Sequence, residues 1–146
     1  ANAVAINGVF LAVVGFVISA VLALLFAGPF FRSQTQIDYI IDNGIVNGTS
    51  TSTFSPNVNV TREQMAAILY RYAQYKKYNT AASSGLNGFT DHASVSGYAA
   101  ASLEWAVAEK LVNGSAGKLM PTGNATRAQV AAILHRFVEN VAKTTK

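Results

Sequence analysis

Cysteine is absent from this 146-residue chain, which excludes a disulfide framework and any thiolate metal site. Histidine is nearly absent too: His92 and His135 are the only two. No spacing of ligating side chains suits a metal cluster, and no glycine-rich loop of the phosphate-cradling kind occurs. Asp91 and His92 stand beside several serines, yet no nucleophile motif accompanies them, so a Ser-His-Asp arrangement has nothing to rest on. We therefore expect no catalytic residue, no cofactor, no metal and no enzyme activity. Lys and Arg form no stripe. The formal net charge of +4 favours an acidic partner weakly and does not point to nucleic acid.

Charge is missing altogether from residues 4–26, where only Asn7 and Ser19 are clearly polar. As a helix this run would span roughly 34 Å at about 1.5 Å per residue, enough to cross a hydrocarbon core. It makes a poor signal peptide, with no basic lead-in and too long a core. Beginning at Ala1 rather than Met, the chain reads as a processed mature form. We expect a helix from about Ala3 to Ala27, broken at Gly28-Pro29, inside a first domain of residues 1–31 that is either transmembrane or the core of a filament. Gly8, Ser19 and several alanines offer small surfaces for close helix approach. Arg32 follows the run while no Lys or Arg precedes it, which counts against a simple anchor displaying an extracellular domain.

What the chain does have is an internal repeat. Residues 59–72 read NVTREQMAAILYRY and residues 124–137 read NATRAQVAAILHRF, identical at nine of fourteen positions with a constant offset of 65. Repeats of this kind build arrays that bind or assemble rather than catalyse. Upstream, Tyr39 matches Trp105 and Val46-Asn47-Gly48 matches Val112-Asn113-Gly114 at offset 66. The intervening loop is thus one residue shorter in the second copy, a change that loops tolerate. Residues 35–48 read as a short helix closed by Gly44 or by the Asn47-Gly48 turn, and residues 102–114 are its counterpart. Thr61 and Thr126 are candidate N-caps with Gln64 and Gln129 three residues on, two capping boxes. Met65, Ile68, Leu69 and Tyr72, and then Val130, Ile133, Leu134 and Phe137, fall at helical spacing and read as core. These helices should end near Lys76 and Lys143. Residues 78–88 read as a polar linker. The segment GFTDHASVSGYAAASLEW then opens the second copy and has no equivalent in the first, so residues 35–77 form a truncated repeat and residues 89–143 a second one, within a domain of residues 32–146. Four sequons occur, at Asn47, Asn59, Asn113 and Asn124; two directly precede helix starts and read as structural.

These spaced motifs resemble the S-layer homology (SLH) domain. Phe89-Thr90-Asp91, Trp105-Ala106, Val112-Asn113-Gly114, Pro121 and Thr126-Arg127-Ala128-Gln129 give a nearly complete second repeat. Gly44-Ile45-Val46-Asn47-Gly48, Phe54-Ser55-Pro56 and Thr61-Arg62-Glu63-Gln64 give the later part of a first. The resemblance covers about residues 36–140, and its wording is closest to versions from Gram-positive anaerobes. It implies an all-α fold, a small bundle of helix–loop–helix repeats, here preceded by the long hydrophobic N-terminal helix. It also implies non-catalytic attachment to an acidic, often pyruvylated, cell-wall polysaccharide. Carried over, the family's Arg at the T-R motif nominates Arg62 and Arg127, with Asp91, Trp105, Gly48 and Gly114 around them. A helix N-terminus presents free N–H groups and positive partial charge, a natural carboxylate site, and Arg adds a bidentate fork. Each of these residues has a plainer alternative: an Arg bridging the neighbouring repeat's loop, a Trp in the core, an Asp that caps a turn.

Family members that bind walls usually carry three repeats, and this chain has fewer than two complete ones. Two expectations follow. In the first, the chain is a self-assembling surface subunit, pilin-like in plan, a homo-oligomer joined through its N-terminal helix with SLH-like heads outside. In the second, it is a membrane-anchored module that binds wall polysaccharide. Either places the protein at the cell surface, in contact with membrane at least transiently.

Overall fold

Thr61 and Thr126 start two helices in the same way. The Thr61 hydroxyl accepts from the Gln64 amide at 3.3 Å while the Thr61 amide donates to Gln64 Oε1 at 2.9 Å. The Thr126 and Gln129 pair repeats this at 3.2 and 3.0 Å. Both T-x-x-Q motifs are thus reciprocal capping boxes, each satisfying donors that a helix start otherwise leaves open. The first box opens α1 (Arg62–Tyr75). The second opens α3 (Arg127–Phe137), which runs on into a wider π turn over Val138–Ala142. Between them lie two short 3-10 turns, His92–Ser94 and Gly97–Ala99, and then α2 (Ala100–Ala108).

The computed structural model describes residues 41–46 and 59–143. The chain divides into two compact units, Ala1–Val58 and Asn59–Lys146. The expected helix from Ala3 to Ala27, the Phe54-Ser55-Pro56 loop and Gly48 lie outside the described residues. Among the described residues all regular structure is helical, with only isolated bridges at Thr61–Asn124 and Ser115–Lys118. No helix among them is long and apolar enough to cross a membrane. In the first unit, Gly44 takes φ +66° and its amide donates to the Ile41 carbonyl at 2.9 Å. Of the two expected closures, the Gly44 turn is therefore formed.

The second copy closes at the same place without glycine. Lys110, at offset 66 from Gly44, takes φ +58°. Its amide bonds to Val107 O at 3.0 Å, and that of Leu111 to Ala106 O at 2.8 Å. This pairing is a Schellman cap, and α2 stops at Ala108, so of the two closures the second copy also uses the one equivalent to Gly44. Lys77 ends α1 likewise, with φ +58° and bonds from Lys77 N to Gln74 O and from Tyr78 N to Ala73 O, both 2.9 Å.

Met65, Ile68, Leu69, Tyr72, Val130, Ile133 and Phe137 are all buried, as their spacing requires; Leu134 is only half-buried. Leu103, Trp105, Leu111 and Leu119 are buried as well. Phe137 sits among aromatic rings, with centroids 5.8 Å from Tyr72, 6.1 Å from Tyr78 and 6.3 Å from Trp105. From the α3 end, Arg136 Nη1 donates to Leu111 O at 3.2 Å and Asn140 Nδ2 to Glu109 O at 2.8 Å. Both satisfy carbonyls that the end of α2 leaves open. Residues 78–88, expected as a polar linker, are tied to α2. Ser84 N donates to Glu104 O at 3.2 Å, Ser83 Oγ to Glu104 Oε2 at 3.1 Å, and Leu86 is buried.

Candidate functional site

The Phe89-Thr90-Asp91 segment builds a loop from behind. The Asp91 carboxylate accepts from the Leu119 amide at 2.8 Å and from the Met120 amide at 2.7 Å. Those two bonds, led by Leu119, hold its carboxyl below the ordinary carboxylate range, with the Lys118 charge adding a little. Thr90 N donates to Gly117 O at 2.9 Å. Gly114 takes φ +71°, and a Cβ there would lie 2.7 Å from the Phe89 ring and 2.8 Å from the Lys118 carbonyl. Only glycine fits that combination of close approach and left-handed backbone. The loop then turns tightly. Ser115 and Lys118 exchange backbone bonds at 2.8 and 3.0 Å around Ala116 (φ 49°) and Gly117 (φ 72°), the pair of positive φ values that a two-residue hairpin turn needs.

That loop delivers its carbonyls to the start of α1. Arg62 N donates to Gly123 O and Glu63 N to Pro121 O, each at 3.0 Å, and Ala125 N donates to Val60 O at 2.9 Å. The Gln64 amide goes to the Thr61 hydroxyl. The first-turn amides of α1, expected to be open to an anion, are thus taken by the second copy's loop and by the cap. What remains for a ligand is the guanidinium. Arg62 is half-buried, its Nη1 donates to the Met120 carbonyl at 3.2 Å, and it lies against Gly123, where a Cβ would collide with it. One such bond leaves an Arg with donors to offer a carboxylate in fork geometry. Met120 is held from both sides, its amide on Asp91 and its carbonyl on Arg62, with φ 51°.

Of the nominated residues, Arg62, Asp91 and Gly114 are therefore brought into one construction around the 114–123 loop. Arg127 opens α3 at an exposed position just beyond it. Gly48 lies outside the described residues. Trp105 is not at the surface: it is 1% exposed and packs edge-on to Tyr70 at 5.4 Å. It offers no ring face to a sugar, because α2 turns it into the aromatic core. Asp91 is engaged by two amides and shapes the loop.

Glu63 was not among the expected site residues, yet it anchors the other side of the junction. It is 4% exposed and accepts from Ser96 N at 3.0 Å, Ser96 Oγ at 2.7 Å and Tyr98 OH at 3.2 Å. A buried carboxylate is tolerable only when so satisfied. Its counterpart in the repeat is Ala128. That Glu-to-Ala difference inside an otherwise matching motif is the one sequence signal that could have singled it out. Among the described residues no cluster of ligating side chains could hold a metal.

The sequence model of the S-layer homology domain matches residues 35–66 and 88–131, which is more than half of the chain. The chain belongs to the S-layer homology domain family. It is 34% identical over 110 residues to the surface-layer 125 kDa protein of Lysinibacillus sphaericus, covering 73% of this chain and 9% of that protein. It is 32% identical over 108 residues to an endoglucanase of Bacillus sp. (strain KSM-635), covering 73% of this chain and 12% of the enzyme. With an amylopullulanase of Thermoanaerobacterium thermosulfurigenes it shares 37% over 118 residues, 77% of this chain and 6% of that one. The chain thus spans 12% or less of the length of these relatives. No solved structure matches it. SLH domains are cell-surface anchoring modules, and this is a cell-surface, extracellular protein.

Proposed function

We propose that residues 35–143 form a non-catalytic anchor that holds this protein to an acidic cell-wall polysaccharide. The observation that carries the reading is Arg62: a guanidinium fixed at the junction of the two copies by the Met120 carbonyl, with donors left over for a carboxylate. Asp91 and Gly114 act through the loop that positions it, and Trp105 through the core beneath. Arg127 and Gly48 are the sequence counterparts of Arg62 and Gly114 in the other copy. The wall-binding reading moves ahead of the filament reading because the residues that match the family model, 35–66 and 88–131, are those of the repeats.

Cosedimentation with Gram-positive sacculi tests it, using sacculi that carry their wall polysaccharide and sacculi stripped of it with hydrofluoric acid. The chain should pellet with the first and not with the second. Arg62→Ala should weaken retention about tenfold or more, the scale of a lost hydrogen-bonded charge contact, and the double variant with Arg127→Ala should abolish it. Equal retention on stripped sacculi would sink the reading. The uncharged run of residues 4–26 favours a second role, self-assembly through an N-terminal helix or insertion of that helix in membrane. Negative-stain microscopy of the detergent-free protein separates these. Regular filaments mean a polymer; particles that gather only on lipid mean an anchor.

A further inference from the structure

The expected sugar-stacking residue, Trp105, is in the core, but another aromatic ring stands at the surface. Tyr98 is the most exposed of the large apolar side chains described, at 57%. Its hydroxyl nevertheless reaches Oε1 of Glu63, which is almost wholly buried. A phenol whose tip lies at a buried carboxylate cannot stand away from the protein. It lies down along the surface and leaves ring area open to solvent. The backbone beneath it is fixed as well: Ser96 binds the same carboxylate through its amide and hydroxyl, and Ala99, bonded to Ser96 O at 2.9 Å, is fully buried. A ring so held loses little conformational entropy when a ligand covers it.

A cation accompanies the ring. Arg71 is half-buried on α1 and near enough to Tyr98 to act on its phenol electrostatically. Its counterpart, Arg136, is committed to the Leu111 carbonyl; among the described residues the Arg71 guanidinium makes no such bond. We propose that Tyr98 and Arg71 form a saccharide subsite, the ring stacking on the apolar face of a sugar and the guanidinium taking its carboxylate. The subsite rests on the wall-polysaccharide reading and adds to it a second contact on α1, apart from the Arg62 junction. Burial and the Glu63 charge push the phenol up to about 12, so the ring is neutral wherever the wall is and does not repel an acidic sugar. Glu63 itself is enclosed by its three donors.

The test is calorimetry of the full chain with wall polysaccharide released from sacculi by hydrofluoric acid, and with the same polymer after reduction of its carboxyl groups. Tyr98→Ala should weaken binding of the native polymer about fivefold or more, the loss of one aromatic contact. Tyr98→Phe, which keeps the ring, should stay within about twofold of wild type. Were Tyr98 merely a brace for Glu63, Phe would fall as far as Ala, and the proposal would be overturned. Arg71→Gln should weaken binding of the native polymer and leave the carboxyl-reduced one unchanged; equal effects on both would remove Arg71 from the subsite. In the wild-type chain, where folding is not in question, the polysaccharide should shift the Tyr98 ring resonances. Binding without that shift overturns the subsite alone. No binding of the native polymer by the wild-type chain overturns the wall-binding reading itself.

Discussion

At Asp91 the two amides of Leu119 and Met120 bond to the ionised carboxylate, so folding favours the charged form and the pKa falls. The stability this contact contributes is complete above the unfolded carboxylate value of about 3.9 and is lost as pH falls through the lowered folded value. Below pH 4, then, the loop from Gly114 to Gly123 should loosen before the helices melt. Amide exchange at Leu119 and Met120 should quicken there relative to Met65, and Asp91→Asn should show that quickening already at neutral pH. Protection at those amides that survives in Asp91→Asn would mean that something else holds the loop. Tyr98 runs the opposite way. Its phenol is raised to about 12, so the contribution of its bond to Glu63 is complete below about pH 10 and fades as pH rises through 12. Of the six tyrosines, ultraviolet titration should find one ionising near 12, and Tyr98→Phe should delete that step.

Helix ends show where elements could be read from the sequence. Both capping boxes were legible, because a Thr hydroxyl and a Gln amide three residues apart have one obvious use at a helix start. The C-terminal ends were not. Gly44 announces its turn, but Lys77 and Lys110 adopt the same left-handed backbone with side chains that resist it by about 1 kcal/mol, and nothing in their identity signals it. Lys110→Gly should therefore stabilise the protein by about 0.5 kcal/mol at most, the relief of that strain less the entropy glycine adds to the unfolded chain. A rise in the urea midpoint with unchanged slope would report it; a fall would mean that the Lys110 side chain contributes a contact. Gly114→Ala should do the reverse and more. Its Cβ would meet the Phe89 ring and a backbone carbonyl, neither of which can swing aside, so a loss of about 2 kcal/mol or more is expected. Residues 78–88 misled through composition. A run of small polar residues reads as a linker, and only Tyr78 and Leu86, both buried, hinted that it is pinned down.

Across the whole molecule, sequence symmetry overstated structural symmetry. The first helical repeat, α1, is covered on two faces: Met65, Ile68 and Tyr72 line the core, while Glu63 and Ala66 are buried as well. On α3 the matching Ala128 and Ala131 are exposed. A motif written twice thus plays two parts, set by what packs on it rather than by its own residues. That is why Arg62 could be nominated from its motif, but the capture of its neighbouring amides by the 121–123 carbonyls could not be read. Long-range backbone pairing leaves no periodicity to read. Trp105 went the same way, since a lone aromatic on a short helix carries no mark of which face is inward. Its burial does supply a probe. As the only tryptophan, packed against Tyr70 and Phe137, it reports the packing of residues 59–143 from the centre. Phe137→Ala empties the middle of that cluster and should cost about 3–5 kcal/mol, a large share of the roughly 5–15 kcal/mol that a small domain has. If α1, α2 and α3 stand on this one core, the fluorescence of Trp105 and the far-ultraviolet helical signal should move together to a lower urea midpoint. A helical signal that outlasts the tryptophan change would show α1 holding without the core, and the repeats would then be separate folding units.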